Sequence, residues 1–494
     1  MVRSSFDFDN DMSRIEKQSA AIRQPDDSPS SLSAGLPRYC CAGWFSGPLL
    51  LVLAAGAVVR LGMLWWFNGS PLEISDERDF NALAISLATS GEFAEGGMPS
   101  SMRPPLYPAF LATVYLLFGV ENYQAVRSIQ AIMGLGLAIA VYLLAKRMYS
   151  VRVGVWAGAF CCFYPSLLFS ANFLLTETLF SLLLATACIA LQQFFNGGYR
   201  LRWLACFGIL WGLASLTRSV LWLLPPFVLV FMLWATTALP WHRRLLAGVL
   251  PVVFFAATIA PWSIRNTRVQ KTFVAIDNQG GRNFMMGNYE YTPLWRAWDA
   301  VGVGGEQAWY AVLAREYSEF FSLTQGQRDK LAMKRGVKFI AAHPLLTLKR
   351  SVIKFFNFWQ LEREVPAGLS RGYWGNLPPV AVWAIALLIC ASYAGGIWAA
   401  IFGAVMASAS DRQTYVFILL VTGLVCAVHT IVFGHSRYHL PLMPLLLIFA
   451  AAAVVYRRHI WEHRKSWRFA LCTFACALLA VSWVAQAIID KAQL

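Results

Sequence analysis

Charge is scarce in this sequence: only 14% of its 494 residues are charged, and Asp and Glu number 26 against 41 Lys and Arg. That excludes an ordinary soluble domain, in which about a quarter of residues carry charge. The surplus of 15 positive charges does not indicate nucleic-acid binding. Its residues sit in short clusters between apolar runs, where the positive-inside rule accounts for them. No cysteine falls in the long polar stretch from Ile264 to Gly375, and none of the ten forms a CxxC pair. A disulfide framework and a cysteine metal site are thereby excluded, and the cysteines read as small packing residues. No internal repeat is visible, which weighs against an inverted-repeat transporter.

Apolar length is what the chain has in abundance. Hydrophobic residues make up 58% and the mean hydropathy is +0.53. Leu49 to Phe67, Asn122 to Ala145, Arg218 to Leu239 and Phe469 to Ile489 each reach the ~20 apolar residues needed to cross a bilayer as a helix. The expected fold class is an all-α polytopic membrane protein. Residues 1–45 are polar and rich in Ser, Asp and Pro up to Arg38, with no apolar core or small-residue cleavage site before Cys40. They read as a disordered cytosolic tail rather than a signal peptide.

The basic residues of that tail, Arg14, Lys17, Arg23 and Arg38, place the start of the first span, Gly47 to Phe67, inside. Leu106 to Gly119 then decides the topology. It is short for a crossing and is broken at its start by Pro104, Pro105 and Pro108. If it crossed, Lys146, Arg147 and Arg152 would lie outside; as an interfacial helix it leaves them, and the later basic clusters, inside. We adopt the interfacial reading. Further spans follow at 123–145, 153–171, 174–192, 203–216, 219–238, 245–262, 377–405, 414–433, 440–456 and 469–489. This makes about eleven, with the N-terminus inside and the C-terminus outside. Residues 46–263, with their outer loop 68–121, form one membrane module and residues 376–494 a second. Between them, 264–375 lies outside and carries an amphipathic basic stretch, Gln327 to Trp359, with the spacing of helices lying on a membrane surface.

On this topology the charged residues next to spans gather on the outer face, which marks a functional site because such groups are costly there. Asp76 and Glu77 follow Ser75. Ser75 can cap a helix start with the two acids complementing its dipole, or a carboxylate can take the proton of an attacking hydroxyl. Arg103 and Arg218 can anchor or snorkel at the interface, or hold a lipid phosphate as a bidentate pair. Arg127, Arg265, Asn266 and Arg437 occupy matching outer positions, and Glu177 lies in a hairpin where it can cap a helix or pair with an arginine. His435 and His439 have the i, i+4 spacing of two metal ligands but lack a third, so packing is the plainer reading.

Taken in order, several motifs resemble the membrane-embedded glycosyltransferases of the GT-C fold. They are Asp76-Glu77, Arg103-Pro104-Pro105-Leu106-Tyr107-Pro108, Thr176-Glu177, Leu216-Thr217-Arg218 and Pro261-Trp262-Ser263-Ile264-Arg265-Asn266. Two more follow, the Gly280-Gly281-Arg282-Asn283-Phe284 to Gly287-Asn288 run and Arg437-Tyr438-His439-Leu440-Pro441. The nearest likeness is to the bacterial branch similar to protein O-mannosyltransferases and to the aminoarabinose and galacturonic acid transferases that modify lipid A. The resemblance implies a helical bundle with juxtamembrane helices in the first outer loop. It implies transfer of one sugar from a polyprenyl-phosphate donor to a lipid, glycan or protein acceptor on the outer side of a bacterial cytoplasmic membrane. Asp76 is then the base, with Glu77 as support or second acid, and Arg103, Arg218, Arg265 and Arg437 hold the lipid phosphate. Tyr107, Glu177, Asn266, Tyr438 and His439 are supporting candidates. No metal ligands or cofactor are assigned, and divalent-metal dependence stays open. Where this chain has Arg103 the lipid A enzymes often carry Lys, and the folded luminal domain of the eukaryotic mannosyltransferases has no counterpart. Donor sugar and acceptor therefore stay open.

Two other readings compete. A flippase of lipid-linked sugars also needs cations near a headgroup, but should carry polar groups along its spans and towards both faces. An inactive transferase-like scaffold has no need of Asp76.

Overall fold

A computed structural model describes residues 46–492, so the tail expected over 1–45 lies outside the described residues. The described residues form a helical bundle, with one hairpin pairing the two-residue strands β1 (Ala94–Glu95) and β2 (Met98–Pro99). The expected helical membrane fold is what forms, because most of the chain is apolar and a helix satisfies its own backbone polar groups without water.

Among the described residues, eight helices are long and apolar enough to cross a membrane. They include α1 (Gly47–Trp66), α4 (Tyr123–Met148), α7 (Glu177–Asn196), α10 (Trp241–Gln270), α16 (Pro379–Met406), α17 (Arg412–Ile431) and α20 (Trp467–Ala492). The eighth runs over Ser436–Val455 and contains α18 (Met443–Val455). The remaining three expected spans fall on shorter apolar helices: α5 (Val151–Phe163), α8 (Arg202–Thr217) and α9 (Pro225–Ala235). Two of these are pieces of a longer path broken by proline. α5 is followed at Pro165 by α6 (Pro165–Ser170), and α9 follows a 3₁₀ turn over Ser219–Leu223.

The outer loop contains two helices, α2 (Ser75–Ser90) and α3 (Leu106–Phe118). α3 has 13 residues, about 20 Å at 1.5 Å per residue, and no continuation that would lengthen it. It packs on α2, with the rings of Phe80 and Tyr107 5.2 Å apart, and both join an apolar cluster with Phe169, Phe173 and Trp374.

Three expectations are corrected. Helix α2 begins at Ser75, so Ser75 is not its cap; the Glu77 carboxylate instead reaches back to the Ile74 N–H at 3.0 Å. Helix α10 runs on past Trp262 to Gln270, because Asn266 and Trp262 bind the Ile276 carbonyl and tie the emerging helix to the returning chain. The stretch 327–359 is split by His343-Pro344 into α13 (Gln325–Ala342) and α14 (Pro344–Phe358). Its lysines 330, 334, 338 and 349 are exposed, but Arg350 and Lys354 turn inward and donate to carbonyls. It is therefore only partly a surface stretch.

Candidate active site

The first turn of α2 delivers Asp76 into a chain of alternating charges. Its Oδ1 lies 2.5 Å from Arg103 Nη2 and its Oδ2 2.7 Å from Arg437 Nη1. Arg103 also contacts Asp79 Oδ2 at 2.6 Å. Arg437 turns its Nε to Glu177 Oε1 at 2.8 Å, and Arg218 Nη1 approaches the same oxygen at 3.5 Å without a hydrogen bond. Residues from the first outer loop, the start of α7, the end of α8 and the 435–439 turn thus meet at one place. Burial alone would raise the Asp76 pKa, but Arg437 and Arg103 outweigh it and hold the carboxyl down at about 2. Arg103 is further steadied over the Phe80 ring, 5.1 Å from its centroid.

Of the residues expected here, Asp76, Arg103, Glu177, Arg218 and Arg437 converge. Glu77 does not, because it is buried with its two oxygens accepting from the Ile74 and Leu174 N–H groups. It locks α2 against the 172–174 turn, although burial pushes its pKa up. Arg265 clamps the hairpin loop by donating to the carbonyls of Ser100 and Phe93, and Asn266 joins Ser101 to Ile276. Arg127 likewise spends its guanidinium on the carbonyls of Phe67, Ser70 and Asn172. Tyr107 is fully buried and donates to Gln130.

Tyr438 lies beside the site but stacks on His429, ring centroids 3.9 Å apart. His439 has no exposed surface; its ring bridges Phe358 O and Glu362 Oε1 and stacks against Tyr393. His435 instead meets Glu364 at 3.2 Å, so the two histidines face different surroundings and do not pair as metal ligands.

Sequence reasoning placed Asp79 and Arg282 among the outer-face charges and motifs without giving either a role, and it missed Glu362 and Glu364. Arg282, at the start of α11 (Gly280–Gly287), interacts electrostatically with Arg103, Asp79 and Asp76, and its Nε is buried without a hydrogen-bond partner. Glu362 and Glu364 come from the polar insertion, where nothing in their spacing separates them from other surface acids. Glu364 is the first residue of α15 (Glu364–Ser370) and half exposed, and desolvation raises it to about 7. His435 Nδ1 accepts from the Arg437 N–H and lies 3.2 Å from Glu364 Oε1.

Residues 102–264 match the model of a family described as dolichyl-phosphate-mannose-protein mannosyltransferase. Over that third of the chain, the resemblance to membrane glycosyltransferases holds. This mannosyltransferase-type segment contains Arg103, Glu177 and Arg218, while Asp76 and Arg437 approach it from either side. A comparison with the curated proteins gave no match. Among solved structures, the archaeal oligosaccharyltransferase AglB from Archaeoglobus fulgidus, in complex with an inhibitory peptide and a dolichol-phosphate, is similar with a TM-score of 0.49 at 14% identity. That match covers 88% of this chain and 55% of the archaeal one, so this chain spans about half the other's length. ArnT from Cupriavidus metallidurans bound to undecaprenyl phosphate matches with a TM-score of 0.39 at 16% identity, over 82% of this chain and 76% of that one.

Proposed function

We propose that the protein is a membrane glycosyltransferase that moves one sugar from a polyprenyl-phosphate donor to an acceptor nucleophile on a lipid, glycan or protein. The outer face of a bacterial cytoplasmic membrane is the place of reaction, with the N-terminus cytosolic. The observation that carries this reading is the Asp76 carboxylate held between Arg103 and Arg437, next to a segment matching the mannosyltransferase family.

Each Asp76 oxygen is occupied by a guanidinium, and a carboxyl held at about 2 is a weak base. A lipid phosphate offers the same arginines a better bidentate partner. When it takes over Arg103 and Arg437, Asp76 loses the charges that depress it and its basicity rises as the donor seats. Asp76 then accepts the acceptor hydroxyl's proton while the oxygen attacks the anomeric carbon and the glycosidic C–O bond to phosphate breaks. The departing phosphate monoester keeps the bonding electrons, and its charge is met by Arg103, Arg218 and Arg437. A single displacement inverts the anomeric centre. Glu177, pinned under Arg437 and Arg218, orients both and acts as a positioning residue.

Transfer from radiolabelled polyprenyl-phosphate sugars in membranes, wild type beside Asp76→Asn, tests the assignment. Loss of transfer by about 10²–10⁴-fold is expected for removal of a general base. Equal transfer by the variant would sink it.

A further inference from the structure

Beside the charge chain lies a cavity of about 40 Å³ whose lining includes Ser166, Glu177, Glu362, Glu364, Ser436 and Arg437. It adjoins the reacting centre, because Arg437 bonds Asp76 with one nitrogen and Glu177 with another. Three carboxylates, Glu177, Glu362 and Glu364, face it beside Arg437 and the hydroxyls of Ser166, Ser170 and Ser436. Glu362 takes hydrogen bonds from Tyr164 at 3.0 Å and contacts His439 at 3.1 Å, both through Oε1. Its Oε2 is buried without a partner, and so is the Oε2 of Glu177. Their side chains are 8% and 1% exposed. A buried carboxylate oxygen left without a donor is costly, and in this arrangement neither of these two oxygens has one. A ligand that brings donors would.

The Trp298 indole reaches this cavity through His435, which touches the lining residue Glu364. The Trp298 ring lies 5.1 Å from the His435 ring and 5.8 Å from the Tyr438 ring, and His435 touches Glu364. A half-buried indole beside carboxylates suits the apolar face of a sugar ring, with hydroxyls reaching the acids. At this size the cavity has room for a few waters, at roughly 10–15 Å³ each. It therefore takes the edge of a ring rather than a whole sugar.

We propose that Trp298, Glu362 and Glu364 form the subsite for the transferred sugar, and that the ring edge entering it carries hydroxyl or ammonium donors and no carboxylate. This rests on the transferase reading and narrows its donor class to neutral or amino sugars, with hexuronic acids excluded. A carboxylate on the sugar would place a fourth acid among Glu177, Glu362 and Glu364, against Arg437, which Glu177 and Asp76 already neutralise.

The test is competition binding to the full-length protein in detergent at pH 8, where Glu364 is ionised. Bare polyprenyl phosphate is the reference; polyprenyl-phosphate hexose, aminopentose and hexuronic acid are the competitors. The hexuronic acid lipid should bind about tenfold or more weaker than the hexose lipid. Glu364→Gln, and separately Glu362→Gln, should shrink that gap, and Trp298→Ala should weaken the sugar lipids while leaving the bare phosphate unchanged. Equal binding of hexuronic acid and hexose lipids, or a gap untouched by both glutamine variants, would overturn the subsite. Failure of bare polyprenyl phosphate to bind saturably would instead overturn the transferase reading, and the subsite with it.

Discussion

Asp76 carries two opposing demands. As a base it needs a free lone pair and a pKa well above 2, yet two arginines occupy its oxygens. Those arginines are also the proposed phosphate ligands, so carboxylate and phosphate compete for them. Removing the Asp76 charge should therefore affect binding and transfer in opposite directions. Asp76→Asn is expected to bind bare polyprenyl phosphate more tightly than wild type while losing transfer, and isothermal titration beside the transfer assay reads both. Weaker binding by the variant would mean that Asp76 organises the arginines rather than competing for them. Arg103 meets both Asp76 and Asp79 through Nη2 alone, so Arg103→Lys keeps a charge there but loses the planar fork with which a guanidinium grips a phosphate bidentately. Its affinity for polyprenyl phosphate should fall about tenfold, the change expected when one charge-assisted bond worth ~1.5 kcal/mol is lost.

At the scale of elements, the insertion is held to the bundle by inward-turned basic residues. Lys354 on α14 donates to Gly287 O, Asn288 Oδ1 and Ile431 O, joining α11 to the end of α17. Burial lowers its pKa to about 7. Lys354→Met would take the donor from Gly287 O and Asn288 Oδ1, while Ile431 O keeps its bond from Asn288 Nδ2, and should cost about 2 kcal/mol in stability, read as a drop in midpoint in a thermal or denaturant melt. Asp329 on α13 accepts from the Arg282 N–H at the start of α11. Desolvation outweighs that bond and raises the carboxyl from 3.8 to about 7. The folded protein thus holds a proton between those values that the unfolded chain has released, so stability falls as pH rises through that window. Asp329→Asn keeps the acceptor without the titration. Its melting temperature should fall less than that of wild type between pH 5 and pH 8, and parallel curves would refute the assignment.

These inward contacts mark the limit of what sequence reveals. Apolar runs located the helices because span length is set by the bilayer. The motif order brought Asp76, Arg103, Glu177, Arg218 and Arg437 forward, since charges beside apolar runs are conspicuous. Lys354 and Glu364 look like any other surface residue of a polar insertion, and only the folded chain distinguishes them from Lys349 or Glu319. Arg265 and Glu77 failed in the other direction: their position beside a span suggested ligand contact, yet nearby backbone groups satisfy them.

For the whole molecule, the position of α3 decides which face the site uses. Its 13 residues span about 20 Å, against a hydrocarbon core of about 30 Å. Unlike α5, it has no second helical piece to complete the crossing. Its exposed apolar face, Leu116, Leu117 and Phe118, lies at the C-terminal end, as expected for a helix dipping one end into a leaflet. The flanking chain returns through Asn122 into α4, whose last turn carries Lys146 and Arg147. If α3 does not cross, α1 and α4 run in opposite directions, and the 68–121 loop, Asp76 and the insertion share one side. Labelling intact cells with a membrane-impermeant maleimide should then modify Glu95→Cys and Gly305→Cys above the parent background. Lys146→Cys and Arg458→Cys should react only after permeabilisation. Reaction of Lys146→Cys in intact cells would make α3 a crossing helix and put the basic clusters outside, against the positive-inside rule. The proposed outward-facing site would fall with it, because Asp76 and Arg437 are in contact and must lie on one face.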